Sequence, residues 1–140
     1  MQNKSFFNDD KLHEECGVIG IYEKNNFNTA TLTYFGLIAL QHRGQESAGI
    51  AVNNDGIITC YKEMGLVSEV FDSKILNLLK GDICIGHVRY STMGESFVTN
   101  AQPLVVKYKN GTIALAHNGN LVNAKALRSE MEDQGMIFTT

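Results

Sequence analysis

DICIGHVRY, residues 82–90, is the stretch on which the fold turns. If it is a strand, its side chains alternate across the pleat, with Ile83, Ile85, His87 and Arg89 on one side and Cys84, Gly86, Val88 and Tyr90 on the other. Both sets are mostly uncharged, so neither face reads as solvated. A strand covered on both faces belongs to a layered structure, either sheet on sheet or sheet under helix.

The segments on either side extend this picture. GVIGIY, residues 17–22, is short, rich in β-branched and aromatic residues and fed by glycines, which predicts a buried strand. TATLTYFGLIALQHRG, from Thr29, sets Ala30, Tyr34, Leu37 and Ile38 at helical spacing, with Gly44 near the stop. AGIAVNNDGIITCYKE holds two apolar runs joined through Asn54, Asp55 and Gly56, a hairpin signal. VVKYKNGTIALAH predicts a second hairpin at Asn110 and Gly111, and NAKALRSEMEDQG a closing helix capped by Asn123 and stopped by Gly135. Strands joined mostly by hairpins, with a helix near each end, predict an α+β domain with largely antiparallel sheet.

Composition sets the class. With 140 residues and 44% hydrophobic side chains, the chain suits one globular domain with its own core. Twelve Lys and Arg against 15 Asp and Glu leave a formal charge of −3, and no basic stripe is present to hold phosphate backbones, so nucleic acid is not an expected partner. No apolar run approaches the roughly 18 residues that span a bilayer, and MQNKSFFNDDKLHEE lacks the apolar stretch of a signal peptide. The expectation is a cytoplasmic protein with no membrane partner. Residues 1–15 are polar and aperiodic and read as a flexible extension.

Cys16, Cys60 and Cys84 are widely spaced, which fits neither a disulfide framework nor a paired-cysteine zinc site. His13, His42, His87 and His117 also lack the paired spacing of metal ligands, so no metal is expected. Cys16 has two readings. It is a small buried thiol, or, if the extension is removed, a nucleophile beside its own α-amine, whose pKa of roughly 7.7–8.0 leaves part of it neutral and basic near pH 7. Arg89 likewise reads either as half of an ion pair with a distant acid or as a fork waiting for a ligand's carboxylate. HNGN, residues 117–120, lies between a strand and a helix, where the Asn118 amide and the Gly119 N–H are placed to serve a developing oxyanion.

CGVIGIY, QHRGQESAGI, GLVSEVF, GHVRYSTMG, NAQPL and AHNGNLVNA occur in that order. Together, over residues 16 to about 138, they resemble the glutaminase domain of the amidophosphoribosyltransferase family, a branch of the class II glutamine amidotransferases. The resemblance implies an N-terminal nucleophile hydrolase fold, an αββα sandwich, here incomplete at its C-terminal end. It divides the chain into a propeptide at 1–15 and a partial glutaminase domain at 16–140. Cys16 is the implied nucleophile, Asn118 and Gly119 the oxyanion donors, and Arg89, with Thr92 alongside, the holder of the glutamine α-carboxylate. Arg43 and Gly44 fall in the loop that closes over glutamine, and His42 and His117 are expected to brace these loops.

The implied partners are glutamine and a phosphoribosyltransferase domain or chain, in a homo-oligomer at full length. No cofactor is implied for this stretch; magnesium and a 4Fe-4S cluster belong to the family's remaining part. An acidic residue that pairs with the glutamine α-amine in the family is expected beyond Thr140, and missing layers are expected to leave apolar faces exposed. Two rival readings stand beside this one: a non-catalytic binding module, and a sugar or amino-acid amidotransferase, which normally begins at a cysteine directly after Met1 and lacks QHRGQESAG.

Overall fold

The computed structural model describes residues 16–24, 28–90, 97–119 and 121–138. The expected extension 1–15 and Thr92 lie outside the described residues.

Four strands form one antiparallel sheet: β1 (Gly17–Tyr22), β2 (Ser47–Asn54), β3 (Ile57–Met64) and β4 (Ile83–Arg89), in the spatial order β1-β4-β2-β3. The doubly apolar strand is therefore an interior one, hydrogen-bonded on both edges. Its register places Gly86 between Ile19 and Ile50, and His87 between Val18 and Gly49. Partners directly opposite share a face, so these two rows mark the two sides of the sheet.

Helix α1 (Thr29–Ala39) lies on the Gly86 side. It buries Thr29, Ala30, Thr33 and Leu37, spaced along one stripe, and approaches so closely that a Cβ on Gly86 would sit 2.5 Å from Thr33 Cγ2. The short helices α2 (Val67–Val70) and α3 (Ser73–Leu78) close the end of this layer, where Val67, Val70, Phe71 and Leu79 join Leu37, Ile50, Val52, Cys84 and Val88 in the core. Each fully buried aliphatic side chain of this kind contributes roughly 2 kcal/mol. Asp72 caps α3 by accepting from the Ile75 N–H at 2.8 Å.

The opposite face meets a second, two-stranded sheet, β5 (Leu104–Tyr108) and β6 (Gly111–Leu115). Lys62 Nζ donates to the Ala101 carbonyl, and the Gln102 carbonyl lies over Gly49, where a Cβ would be 2.1 Å away. Away from this contact the sheets part around an apolar cleft of about 270 Å³ between Ala51, Ile58 and Ile85 on one side and Ile113 and Ala114 on the other. Both coverings anticipated for DICIGHVRY are thus present, a helix on one face and a sheet on the other. The outer layer is thin: α4 (Ala124–Asp133) buries none of its residues, and Val106 and Leu115 are 60% and 56% exposed.

Three local expectations change. Asn123 precedes α4 but makes no side-chain capping bond; only its carbonyl accepts, from the Leu127 N–H at 3.0 Å. The second hairpin turns on Lys109 and Asn110, because Gly111 already pairs with Tyr108. Gly44 does not stop α1, which ends at Ala39 and passes into a 3₁₀ turn at Gln41–Arg43; Gly44 itself is extended, with φ −160°. Gly135 does stop α4, at φ +86°, with its N–H on the Glu132 carbonyl and the Met136 N–H on the Met131 carbonyl, the paired bonds of a Schellman end. The first hairpin turns at Asp55 and Gly56, both at positive φ, as Asn-Asp-Gly predicts.

Candidate active site

Cys16 stands at the head of β1, one residue before its pairing with β4 begins. Its Sγ lies 3.4 Å from the Tyr90 N–H, which donates to it, and 3.6 Å from the Tyr90 carbonyl, which accepts from the thiol. The sulfur is thus held against the Tyr90 peptide by both of its backbone groups. Its carbonyl is gripped from two directions, by Asn118 Nδ2 at 2.8 Å and by Arg43 Nε at 3.4 Å. Three of the motifs singled out above therefore converge on one residue from positions 27, 74 and 102 residues away in the chain.

Each arm has a structural support. The 3₁₀ turn that carries Arg43 is braced by Gln41, which donates to the Gly44 carbonyl and accepts from the Val67 N–H at 2.7 Å. Gly44 lies directly beneath β4: a Cβ there would be 2.6 Å from the Val88 carbonyl carbon and 2.7 Å from that of Arg89. Only a glycine lets this loop approach so near the strand. Tyr90 is held by the strand itself, whose last residue, Arg89, pairs with Ser47.

Arg89 is 9% exposed, and its Nη1 donates to Glu46 Oε1 at 2.8 Å. The ion pair with a distant acid that the sequence allows is therefore present. The sequence signal was available in QHRGQES, whose only acid is Glu46, but the pairing spans 43 residues and needs β2 beside β4. Gly119 is exposed with φ +138°, a conformation that suits glycine.

The braces differ from expectation. His42 is exposed, and among the described residues His117 is held through its backbone, whereas the buried histidine beside it is His87. Its Nε2 lies 3.2 Å from the His117 carbonyl, and the His117 N–H donates to Gln102 Oε1 at 2.7 Å. Burial is the main cause that lowers the His87 pKa to about 4, partly opposed by the bond to the His117 carbonyl. His87 is therefore neutral near pH 7, with its proton on Nε2, since a carbonyl only accepts.

Burial pushes the Cys60 thiol up and the Cys84 thiol up to about 11, so neither ionises near neutral pH. Cys60 and Cys84 also lie on opposite faces of the sheet, and among the described residues no group of three His, Cys, Asp or Glu side chains is placed to hold a metal ion. No described helix is long and apolar enough to cross a membrane.

Comparison with known proteins agrees with this geometry. Residues 25–135 match the family model for class-II glutamine amidotransferases. The chain is 52% identical over 132 residues to chloroplastic amidophosphoribosyltransferase 3 of Arabidopsis thaliana, covering 94% of this chain and 24% of that one. To the amidophosphoribosyltransferase of Archaeoglobus fulgidus it is 56% identical over 125 residues, covering 89% and 27%. The chain spans about a quarter of the length of these curated relatives. Among solved structures it is similar to glutamine phosphoribosylpyrophosphate amidotransferase from B. subtilis, complexed with ADP and GMP, at 47% identity and a TM-score of 0.79, covering 88% of this chain and 26% of that one. A second, described as the allosteric regulatory enzyme of purine biosynthesis, is 48% identical with a TM-score of 0.81, covering 88% and 26%. The α+β layering is that of the N-terminal nucleophile hydrolase fold, with the outer helical layer incomplete. A match over most of the chain, on a fold that gathers Cys16, Arg43 and Asn118, means that the chain belongs to the class-II glutamine amidotransferases.

Proposed function

We propose that the chain is the glutaminase part of an amidophosphoribosyltransferase, hydrolysing glutamine to glutamate and ammonia for phosphoribosylamine synthesis, the first step of de novo purine biosynthesis. The observation that carries the reading is the convergence on Cys16, with Tyr90 at the sulfur and Asn118 and Arg43 at the carbonyl. Removal of residues 1–15 as a propeptide leaves 16–140 as a partial glutaminase domain and turns the Cys16 nitrogen from an amide into an amine. The thiolate attacks the side-chain amide carbon of glutamine, and the amine takes the thiol proton and delivers it to the departing ammonia. Asn118 Nδ2 and the Gly119 N–H stabilise the oxyanion. Water then hydrolyses the glutamyl thioester. Arg89, with Thr92, receives the α-carboxylate, and the loop of Arg43 and Gly44 covers the substrate.

The proposed partners are glutamine and a phosphoribosyltransferase domain or chain within a homo-oligomer, in the cytoplasm. Magnesium and any 4Fe-4S cluster are assigned to that second part. The two curated relatives named above carry amidophosphoribosyltransferase names, which favours the enzyme over a non-catalytic module.

Intact mass followed by labelling with a glutamine-like electrophile tests the reading. A mass beginning at Cys16 and one label per chain, lost in Cys16→Ala, are the expected results. Labelling that persists in Cys16→Ala would refute the nucleophile.

A further inference from the structure

Asn118 and Gly119 are exposed and belong to no helix or strand, yet their geometry decides whether two donors meet one oxyanion. The residue before them is held by both of its backbone groups. The His117 N–H donates to Gln102 Oε1 at 2.7 Å, and the His117 carbonyl lies 3.2 Å from His87 Nε2. One support comes from the interior strand β4 and the other from the segment leading into β5. We propose that His87 and Gln102 are positioning residues that clamp His117 and thereby aim the Asn118 and Gly119 donors at the substrate bound on Cys16.

The clamp has rigid footings. His87 is fully buried between Val18 and Gly49 in the sheet. Gln102 is locked by its backbone: its carbonyl lies over Gly49, the preceding Ala101 carbonyl accepts from Lys62 Nζ, and the following Pro103 is buried. Asn118 Nδ2 in turn reaches the Cys16 carbonyl at 2.8 Å, so the chain of contacts runs from the sheet interior to the nucleophile.

His87 is also a poor choice for stability alone. Its Nδ1 is buried without a hydrogen-bond partner among the described residues, a cost that an apolar side chain would avoid. What an apolar residue lacks is the donor directed at the His117 carbonyl. A displacement of about 1 Å at a catalytic group costs on the order of 100-fold in rate, which sets the expected size of the effect.

The inference rests on the glutaminase reading, and its test separates the two. His87→Leu, His87→Gln and Gln102→Leu are compared with wild type in the full chain, processed to Cys16, by glutamine kinetics, thermal midpoint and hydrogen exchange over residues 114–121. His87→Leu and Gln102→Leu should each lower kcat by roughly 100-fold with KM within about twofold, and quicken exchange at His117 and Asn118. His87→Leu should keep or raise the midpoint, and His87→Gln, which returns a donor at the Nε2 position, should recover most of kcat. Unchanged kcat and exchange in both leucine variants would overturn the clamp, as would a midpoint that falls in step with kcat. A wild type without glutaminase activity would refute the functional reading, while the exchange comparison still decides the clamp.

Discussion

Arg89 and Glu46 meet at 2.8 Å with both side chains largely buried, so the guanidinium assigned to a substrate carboxylate already holds one from its own chain. Removing one member of such a pair strands the other charge and costs about 3–5 kcal/mol, whereas replacing both with apolar groups of similar volume is often neutral. Arg89→Ala should therefore lower stability by about 3 kcal/mol and sharply raise KM for glutamine. Arg89→Met with Glu46→Leu should regain the stability and keep the raised KM. Denaturant unfolding beside glutamine kinetics checks both. A double variant with wild-type glutamine dependence would show that Arg89 serves the fold and not the substrate.

Asn118 Nδ2 lies on the Cys16 carbonyl at 2.8 Å. In the proposed reaction this amide donates to the oxygen that develops beside the sulfur. Asn118→Ala should lower kcat by about 100- to 1,000-fold, the usual loss of one oxyanion donor, with KM nearly unchanged. Steady-state kinetics decides it, and a loss expressed wholly in KM would assign Asn118 to ground-state binding instead.

Legibility from sequence followed the distance over which each feature is determined. The alternation in residues 82–90 requires a strand covered twice, and β4 is that strand because α1 and the second sheet take its two faces. Helices α2 and α3, four and six residues long, are too short to show a period, and they form because Val67, Val70 and Leu79 complete the core beneath α1. At the candidate site, the resemblance carried by their motifs singles out Cys16, Arg43, Asn118 and Gly119, and the fold brings Arg43 and Asn118 to Cys16. Glu46, Gln41 and Gln102 were not, because their roles depend on segments that meet only after folding. His87 had a visible signal, its place on the same strand face as Arg89, but nothing in the sequence puts the His117 carbonyl opposite it.

The depressed pKa of His87 makes stability depend on acid. Its value is about 4 in the fold and about 6.5 in an unfolded chain, so below pH 6.5 the unfolded state takes up the proton first. Stability is then full above pH 6.5, falls by ~1.4 kcal/mol per unit as pH drops, and levels off below pH 4, a total of about 3 kcal/mol. Unfolding free energies at pH 7, 5.5 and 4 measure this, and the difference between wild type and His87→Leu isolates the histidine from the carboxylates. A difference that stays constant across the range would mean that His87 is protonated as readily in the fold as outside it.

Gly44 and Gly20 offer a paired test of the loop beneath β4. Gly44 is extended at φ −160°, so alanine fits its backbone, but the added Cβ would lie 2.6 Å and 2.7 Å from the carbonyl carbons of Val88 and Arg89. Those atoms belong to an interior strand hydrogen-bonded on both sides and cannot yield as a flexible side chain would. The loop must move instead, and overpacking of this kind costs about 1–3 kcal/mol. Arg43, next in the chain, moves with it and loses its reach to the Cys16 carbonyl, 3.4 Å away. Gly44→Ala should therefore lower both the unfolding free energy and kcat/KM for glutamine. At Gly20 a Cβ meets nothing within 4 Å, so Gly20→Ala should leave kcat/KM within experimental scatter and the unfolding free energy equal or higher by up to about 1 kcal/mol. A Gly44→Ala variant whose unfolding free energy and kcat/KM fall no further than those of Gly20→Ala would mean that the closeness of the loop to β4 does not set a cost at Gly44.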